Sequence, residues 1–144
     1  MKTPSFFAAL SGLTLLVLGA CNSQPTPAQQ ADQAEKTMLA SHDSLMSRMD
    51  ELYDLRQQLQ AAPGLDSVAA GRHRRALLAA DAAMMDWMHR YHRPADSVTV
   101  PRRLAYFAAQ QRRIDSVAQL MTRSLDSARL VLPPALPSSQ PSAQ

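Results

Sequence analysis

Apolar positions in this chain recur every three or four residues through three long stretches, and no stretch alternates apolar and polar with period two. In the first stretch, residues 31–61, Met38, His42, Leu45, Met49, Leu52, Arg56 and Leu59 follow alternating four- and three-residue steps. Leu39, Met46 and Tyr53 run beside them, so the pattern is a heptad seam with a shoulder. Pro63-Gly64 ends the stretch, and Asp66-Ser67 offers an N-cap for the next helix. The second stretch, residues 67–92, carries Leu77, Asp81, Met84, Met88 and Tyr91 on one stripe, with Leu78, Met85 and His92 adjacent. Arg93 precedes Pro94 and must leave the helix. Thr99 and Pro101 signal a third start, and Leu104, Phe107, Gln111, Ile114, Ala118, Met121, Leu125 and Ala128 form its stripe before Pro133-Pro134 stops it. Helices of this size are roughly 40–48 Å long, and short connections make neighbours antiparallel. The pattern therefore predicts an all-α domain over residues 31–132, an antiparallel up-down-up three-helix bundle or elongated coiled coil. Residues 21–30 read as a flexible polar linker and residues 133–144 as a disordered Pro/Ser-rich tail.

The amino-terminal residues follow another rule. Met1-Lys2 supplies a positive start, and the apolar run from Phe6 to Val17 is shorter than the roughly 20 residues a membrane-spanning helix needs. Residues 1–20 read as a secretory signal peptide. Leu18-Gly19-Ala20-Cys21 resembles the lipobox of bacterial lipoproteins, and Cys21 is the chain's one cysteine. The resemblance implies a diacylglyceryl group on Cys21, cleavage before it and acylation of the new terminus. Two or three acyl chains anchor stably where one is marginal, so the protein is expected to be tethered to a membrane without crossing it. Asn22 is not the Asp that retains lipoproteins at the inner membrane, and no acidic cluster follows Cys21. The expected location is the outer membrane, on its periplasmic side.

Composition narrows the function classes. With 144 residues, four glycines and one cysteine, the chain is too short for a multi-domain enzyme and has no Gly-rich phosphate cradle. No Gly-x-Ser-x-Gly turn or His-Glu-x-x-His helix is present, and lipid consumes the only thiol, so the chain reads as non-enzymatic. The net charge is +3, with arginines in three knots: Arg72/Arg74/Arg75, Arg102/Arg103 and Arg112/Arg113. They form either a solvated helix surface or, because guanidinium binds phosphate in bidentate fashion, a site for anionic envelope polymers. The compartment argues against nucleic acid.

Methionine and histidine raise a further alternative. Met38, Met46 and Met49 lie in one window and Met84, Met85 and Met88 in another. A hairpin turning at Pro63-Gly64 pairs position i with about 127 − i, so the windows meet. His42 then faces Met85, with His42 and Asp81 near the middle of their apolar arcs and Gln111 offered from the third helix. One reading is a buried polar layer of His42, Asp81 and Gln111, mutually hydrogen-bonded in a core whose gaps Met fills, with no cofactor. The other is a Cu(I) or Ag(I) site of His42, Met46, Met85 and Met88 with His89 or His92, because thioether and imidazole together select soft cations. Trp87 could add a cation–π contact.

The lipobox, His42-Asp43-Ser44-Leu45-Met46 and the Asp81-to-His92 stretch (Asp-Ala-Ala-Met-Met-Asp-Trp-Met-His-Arg-Tyr-His) together resemble a group of short bacterial lipoproteins often labelled "viral A-type inclusion protein". The resemblance implies an envelope location and a helical fold, and adds no mechanism. The leading functional expectation is a lipid-anchored, non-enzymatic structural or interaction module whose partner is an envelope protein or a second copy.

Overall fold

The computed structural model describes residues 24–132, so the expected signal peptide, Cys21 and the tail from residue 133 lie outside the described residues. Four helical elements follow in order: α1 (Pro27–Met46), α2 (Met49–Ala61), α3 (Ser67–Arg90) and α4 (Val100–Val131). α1 and α2 are successive parts of one leg, so the all-α, three-legged bundle is as expected.

α1 begins inside the segment expected to be linker. Thr26 Oγ1 accepts from the Gln29 N–H, and the Gln29 side chain accepts from the Thr26 N–H at 2.8 Å. With Pro27 at the first turn this is a complete capping box, in which two otherwise orphaned donors are satisfied reciprocally. The Thr-Pro-Ala-Gln signature is local enough to have been readable. A second departure is the break between α1 and α2. Ser47 Oγ donates to the Ser44 carbonyl at 2.8 Å, and the Arg48 N–H donates to the Leu45 carbonyl three residues back. A serine hydroxyl competing for a helix carbonyl, and a turn tightened to i→i−3, account for the interruption.

The heptad survives that break. Ala31, Met38, Leu45, Leu52 and Leu59 recur every seven residues and are all buried. Downstream, Gly64 takes φ +78°, a left-handed conformation that suits glycine. Asp66 Oδ1 then caps α3 by accepting from the Ala69 N–H at 2.7 Å. α3 stops at Arg90, short of the expected His92, where the Tyr91 N–H closes on the Trp87 carbonyl ahead of Pro94.

α4 packs against α1, α2 and α3, whereas the α1 and α3 backbones stay apart. Its buried face therefore carries two heptad series. Phe107, Ile114, Met121 and Ala128 form the expected one; Arg103, Gln110, Val117 and Ser124 form a second that displaces Gln111 and Ala118 to half-buried positions. The first leg runs parallel to α4, tied by Asp32–Arg103 at 2.7 Å, Ser41–Gln111 at 3.1 Å, Arg48–Thr122 at 3.2 Å and the Glu51–Arg129 ion pair. On α3 the core stripe is Ala70, Leu77, Ala80, Met84 and Trp87, rotated towards α4 from the expected Asp81–Met88–Tyr91 line. None of the described helices is long and apolar enough to cross a membrane.

Leu52, only 1% exposed, sits in the heptad just after the break. Leu52→Ala is expected to cost about 2–5 kcal/mol through the cavity it leaves, read as a lower urea midpoint. Leu130→Ala, at a position 86% exposed, should stay within about 0.5 kcal/mol of wild type.

Candidate functional site

The gap between α1 and α3 is crossed by side chains. His42 of α1 stacks on Trp87 of α3 with ring centroids 5.3 Å apart, and Trp87 stacks on Tyr91 at 5.3 Å. The ladder continues through Tyr106 at 6.2 Å to Phe107 at 5.7 Å, edge to face, and so reaches α4. Aromatic pairs at such separations add to their area burial. Sequence reasoning did not assemble this ladder, because Trp87 lay off the expected stripe and Tyr91 lies beyond the end of α3.

His42 is half-buried, and its two ring nitrogens differ. Nδ1 lies 3.0 Å from Asp43 Oδ1, which favours a proton on Nδ1 and leaves Nε2 as an acceptor. Nε2 is buried without a partner, as are Trp87 Nε1, Gln110 Oε1 and Gln111 Oε1. These atoms are supplied by all three legs. Gln111 does not bond to His42 or Asp81 as expected; its Nε2 donates instead to Ser41 Oγ at 3.1 Å and to Asp115 Oδ1 at 2.8 Å. The Asp81 carboxylate meets Arg56 Nη1 at 3.1 Å in the α2–α3 half of the bundle. Arg56 shares a seam with His42 in the sequence, so matching opposite charges between the two seams would have found the pair.

The expected metal-ligating residues lie along the α1–α3 seam without equal access to it. Met46 and Met85 are exposed and Met88 is partly buried against the core. His89 is exposed, and its Nδ1 lies 2.8 Å from the Met85 carbonyl of its own helix. His92 is also exposed and uses its backbone N–H on Tyr106 Oη at 3.0 Å. Among the described residues no group of three or more His, Cys, Asp or Glu side chains is placed to hold a metal ion.

At the end of the bundle where α1 starts, Glu35 holds a second cluster that the sequence did not reveal. Its Oε1 accepts from Tyr91 Oη at 3.3 Å and from Arg93 Nε at 2.9 Å, and Arg93 Nη1 also donates to Asp96 at 3.2 Å. The Arg knots divide in the same way: Arg103 is buried against Asp32, while Arg72, Arg74, Arg75, Arg102, Arg112 and Arg113 have no ion pair among the described residues. The hydrogen bond that Arg93 donates to Glu35 raises the Arg93 pKa. Burial, then the negative charge and hydrogen bond of Glu35, push the Tyr91 phenol up to about 12.

Comparison with protein-family models, with curated proteins and with solved structures finds no match to this chain.

Because the folded state holds the Tyr91 proton more tightly than the unfolded chain, its contribution to stability is complete below pH 10 and is lost as pH rises towards about 12. Urea midpoints measured between pH about 9 and about 11 should fall more steeply for wild type than for Tyr91→Phe. Equal slopes would mean that Tyr91 titrates alike in both states.

Proposed function

We propose that this chain is a lipid-anchored envelope lipoprotein, held on the periplasmic side of the outer membrane, that acts as a non-enzymatic structural or interaction module. The observation that carries the reading is the Leu18-Gly19-Ala20-Cys21 sequence with the chain's single cysteine at its end. The likeness of His42–Met46 and Asp81–His92 to short bacterial lipoproteins supports the same reading. So does the early start of α1. Residues 21–27 span at most roughly 20 Å when extended, so a lipid on Cys21 would hold the Glu35–Tyr91–Arg93 end close to the bilayer. The helical body would stand off the surface with its sides open to neighbours.

Metabolic labelling with a palmitate analogue, followed by membrane fractionation, tests the anchor. Wild type should be labelled and sediment with the outer membrane, and Cys21→Ala should lose the label and become soluble. An unlabelled wild type, or a Cys21→Ala variant that still sediments, would overturn the assignment.

The unpartnered, buried Nε2 of His42 favours a second reading, a periplasmic Cu(I)- or Ag(I)-binding protein. Asp43 on Nδ1 orients the ring as a carboxylate orients many metal-bound imidazoles, and Met46, Met85 and Met88 lie on the same seam. His89 would join only by giving up its contact with the Met85 carbonyl. Under anaerobic competition with a chromophoric chelator, this reading requires stoichiometric Cu(I) uptake by wild type and its loss in His42→Leu, with helical circular dichroism unchanged. If the chelator keeps the copper, the histidine and the methionines are packing groups.

A further inference from the structure

We infer that the face formed by the first leg and α3 is an interface with a second copy of this chain, the two copies lying side by side about a twofold axis parallel to the bundle. The inference rests on the interaction-module reading and names its partner.

Five large apolar side chains stay in solvent on this face. Leu39 is 37% exposed, Met46 37% and Tyr53 54%; on α3, Leu78 is 49% and Met85 44% exposed. Both sets recur every seven residues, the spacing by which helices present a continuous seam to a partner. The contacts Glu35–Tyr91, His42–Trp87 and Arg56–Asp81 define the side of each leg that faces the other. At about 100° per residue, Leu39, Met46 and Tyr53 lie on that side of the first leg and Leu78 and Met85 on that side of α3. They therefore flank one seam. α2 packs directly on α3 beneath it, and α1 and α3 are bridged by the His42–Trp87 and Glu35–Tyr91 contacts, so these five side chains are left on the outer side of the seam. Apolar groups concentrated along one seam mark an interaction surface more often than scattered ones do.

Charge at the two borders selects the occupant. Outside the apolar positions, the first leg carries Asp43, Asp50 and Asp54, with Lys36 at its far end. Arg75 and His89 lie on the border of α3 beyond Leu78 and Met85, and Arg74, one heptad before Asp81, lies on the inner side of that line. Asp50, Asp54, Arg74 and Arg75 have no ion pair among the described residues. A face with one acidic and one basic border is complementary to itself. When the twofold axis runs along the bundle, the first leg of each copy lies over α3 of the other and each acidic border meets a basic one, twice. An axis perpendicular to the bundle would place acid on acid and base on base, which costs affinity and rejects that arrangement. The parallel arrangement also keeps both amino-terminal ends at the same end of the dimer, as two anchors in one membrane require.

Sedimentation of the full chain in density-matched detergent, with micelles in excess over protein, tests the inference. Wild type should sediment at twice the monomer mass, and Met46→Glu/Met85→Glu at the monomer mass. The charge variants fix the axis. Asp50→Arg/Asp54→Arg alone and Arg74→Glu/Arg75→Glu alone should each be monomeric with unchanged helical circular dichroism. Their equimolar mixture should recover the doubled mass, because both borders of the mixed dimer are again complementary. A monomeric wild type, or dimeric Met46→Glu/Met85→Glu, overturns the interface; a mixture that stays monomeric overturns the parallel axis. If wild type is monomeric but a photo-cross-linker at Met46 joins it to a different envelope protein, self-association fails while the interaction-module reading stands.

Discussion

The structure depends on α4 packing along both of the other legs. A helix that packs on one neighbour needs a single apolar stripe, but α4 packs on both and so buries two heptad series. Its apolar series closes the core against Met38, Leu45, Leu77 and Met84. Its second series is mixed: Arg103 reaches Asp32 and Ser124 Oγ donates to the Met121 carbonyl at 2.9 Å, whereas Gln110 Oε1 is buried without a protein partner. α2 also packs directly on α3, whereas α1 and α3 are left apart. The principal features of the α1–α3 side follow from that separation.

Long side chains fill the separation. The ladder from His42 through Trp87, Tyr91 and Tyr106 to Phe107 uses four of the chain's seven Phe, Trp and Tyr residues to link the three legs. Rings bring polar atoms with them, and His42 Nε2 and Trp87 Nε1, like Gln110 Oε1 and Gln111 Oε1, are buried without protein partners. The site is polar on several sides, the condition under which bridging water is held. The same atoms set the chemistry open to the site: one oriented imidazole acceptor, thioethers nearby and no adjacent nucleophile in hydrogen-bond contact with it.

The outer side of this seam links the fold to function. A third leg in full contact would have covered Leu39, Met46 and Met85; a bridged gap leaves them in solvent between borders of opposite charge. An anchor at Cys21 would restrict how such a bundle can meet its neighbours, because molecules tethered at one end approach each other side by side. Tethering, the seam and the charge borders then favour the same association.

Much of the fold was legible in the residues. The Leu45–Leu52–Leu59 heptad, the stops at Pro63-Gly64 and Pro94, the Asp66 cap and the apolar series of α4 depend on spacing and local chemistry, which sequence carries directly. The Leu18–Cys21 sequence is likewise contiguous, and the anchor it implies belongs to the proposed function. The capping box at Thr26–Gln29 was equally local and marks where α1 begins. Which polar seam residues would meet was not legible. Asp81 pairs with Arg56 rather than entering a layer with His42 and Gln111, and Trp87 rather than Met88 enters the core, because α3 rotates towards α4 when α4 packs on both legs. A rotation of a few tens of degrees leaves the periodicity of a helix unchanged while exchanging the residues on its flanks. Sequence by itself determined where the helices are and which broad face of each is apolar. Only the tertiary structure decided which flank of each face is covered, since that depends on the relative distances of three legs and no one helix encodes them.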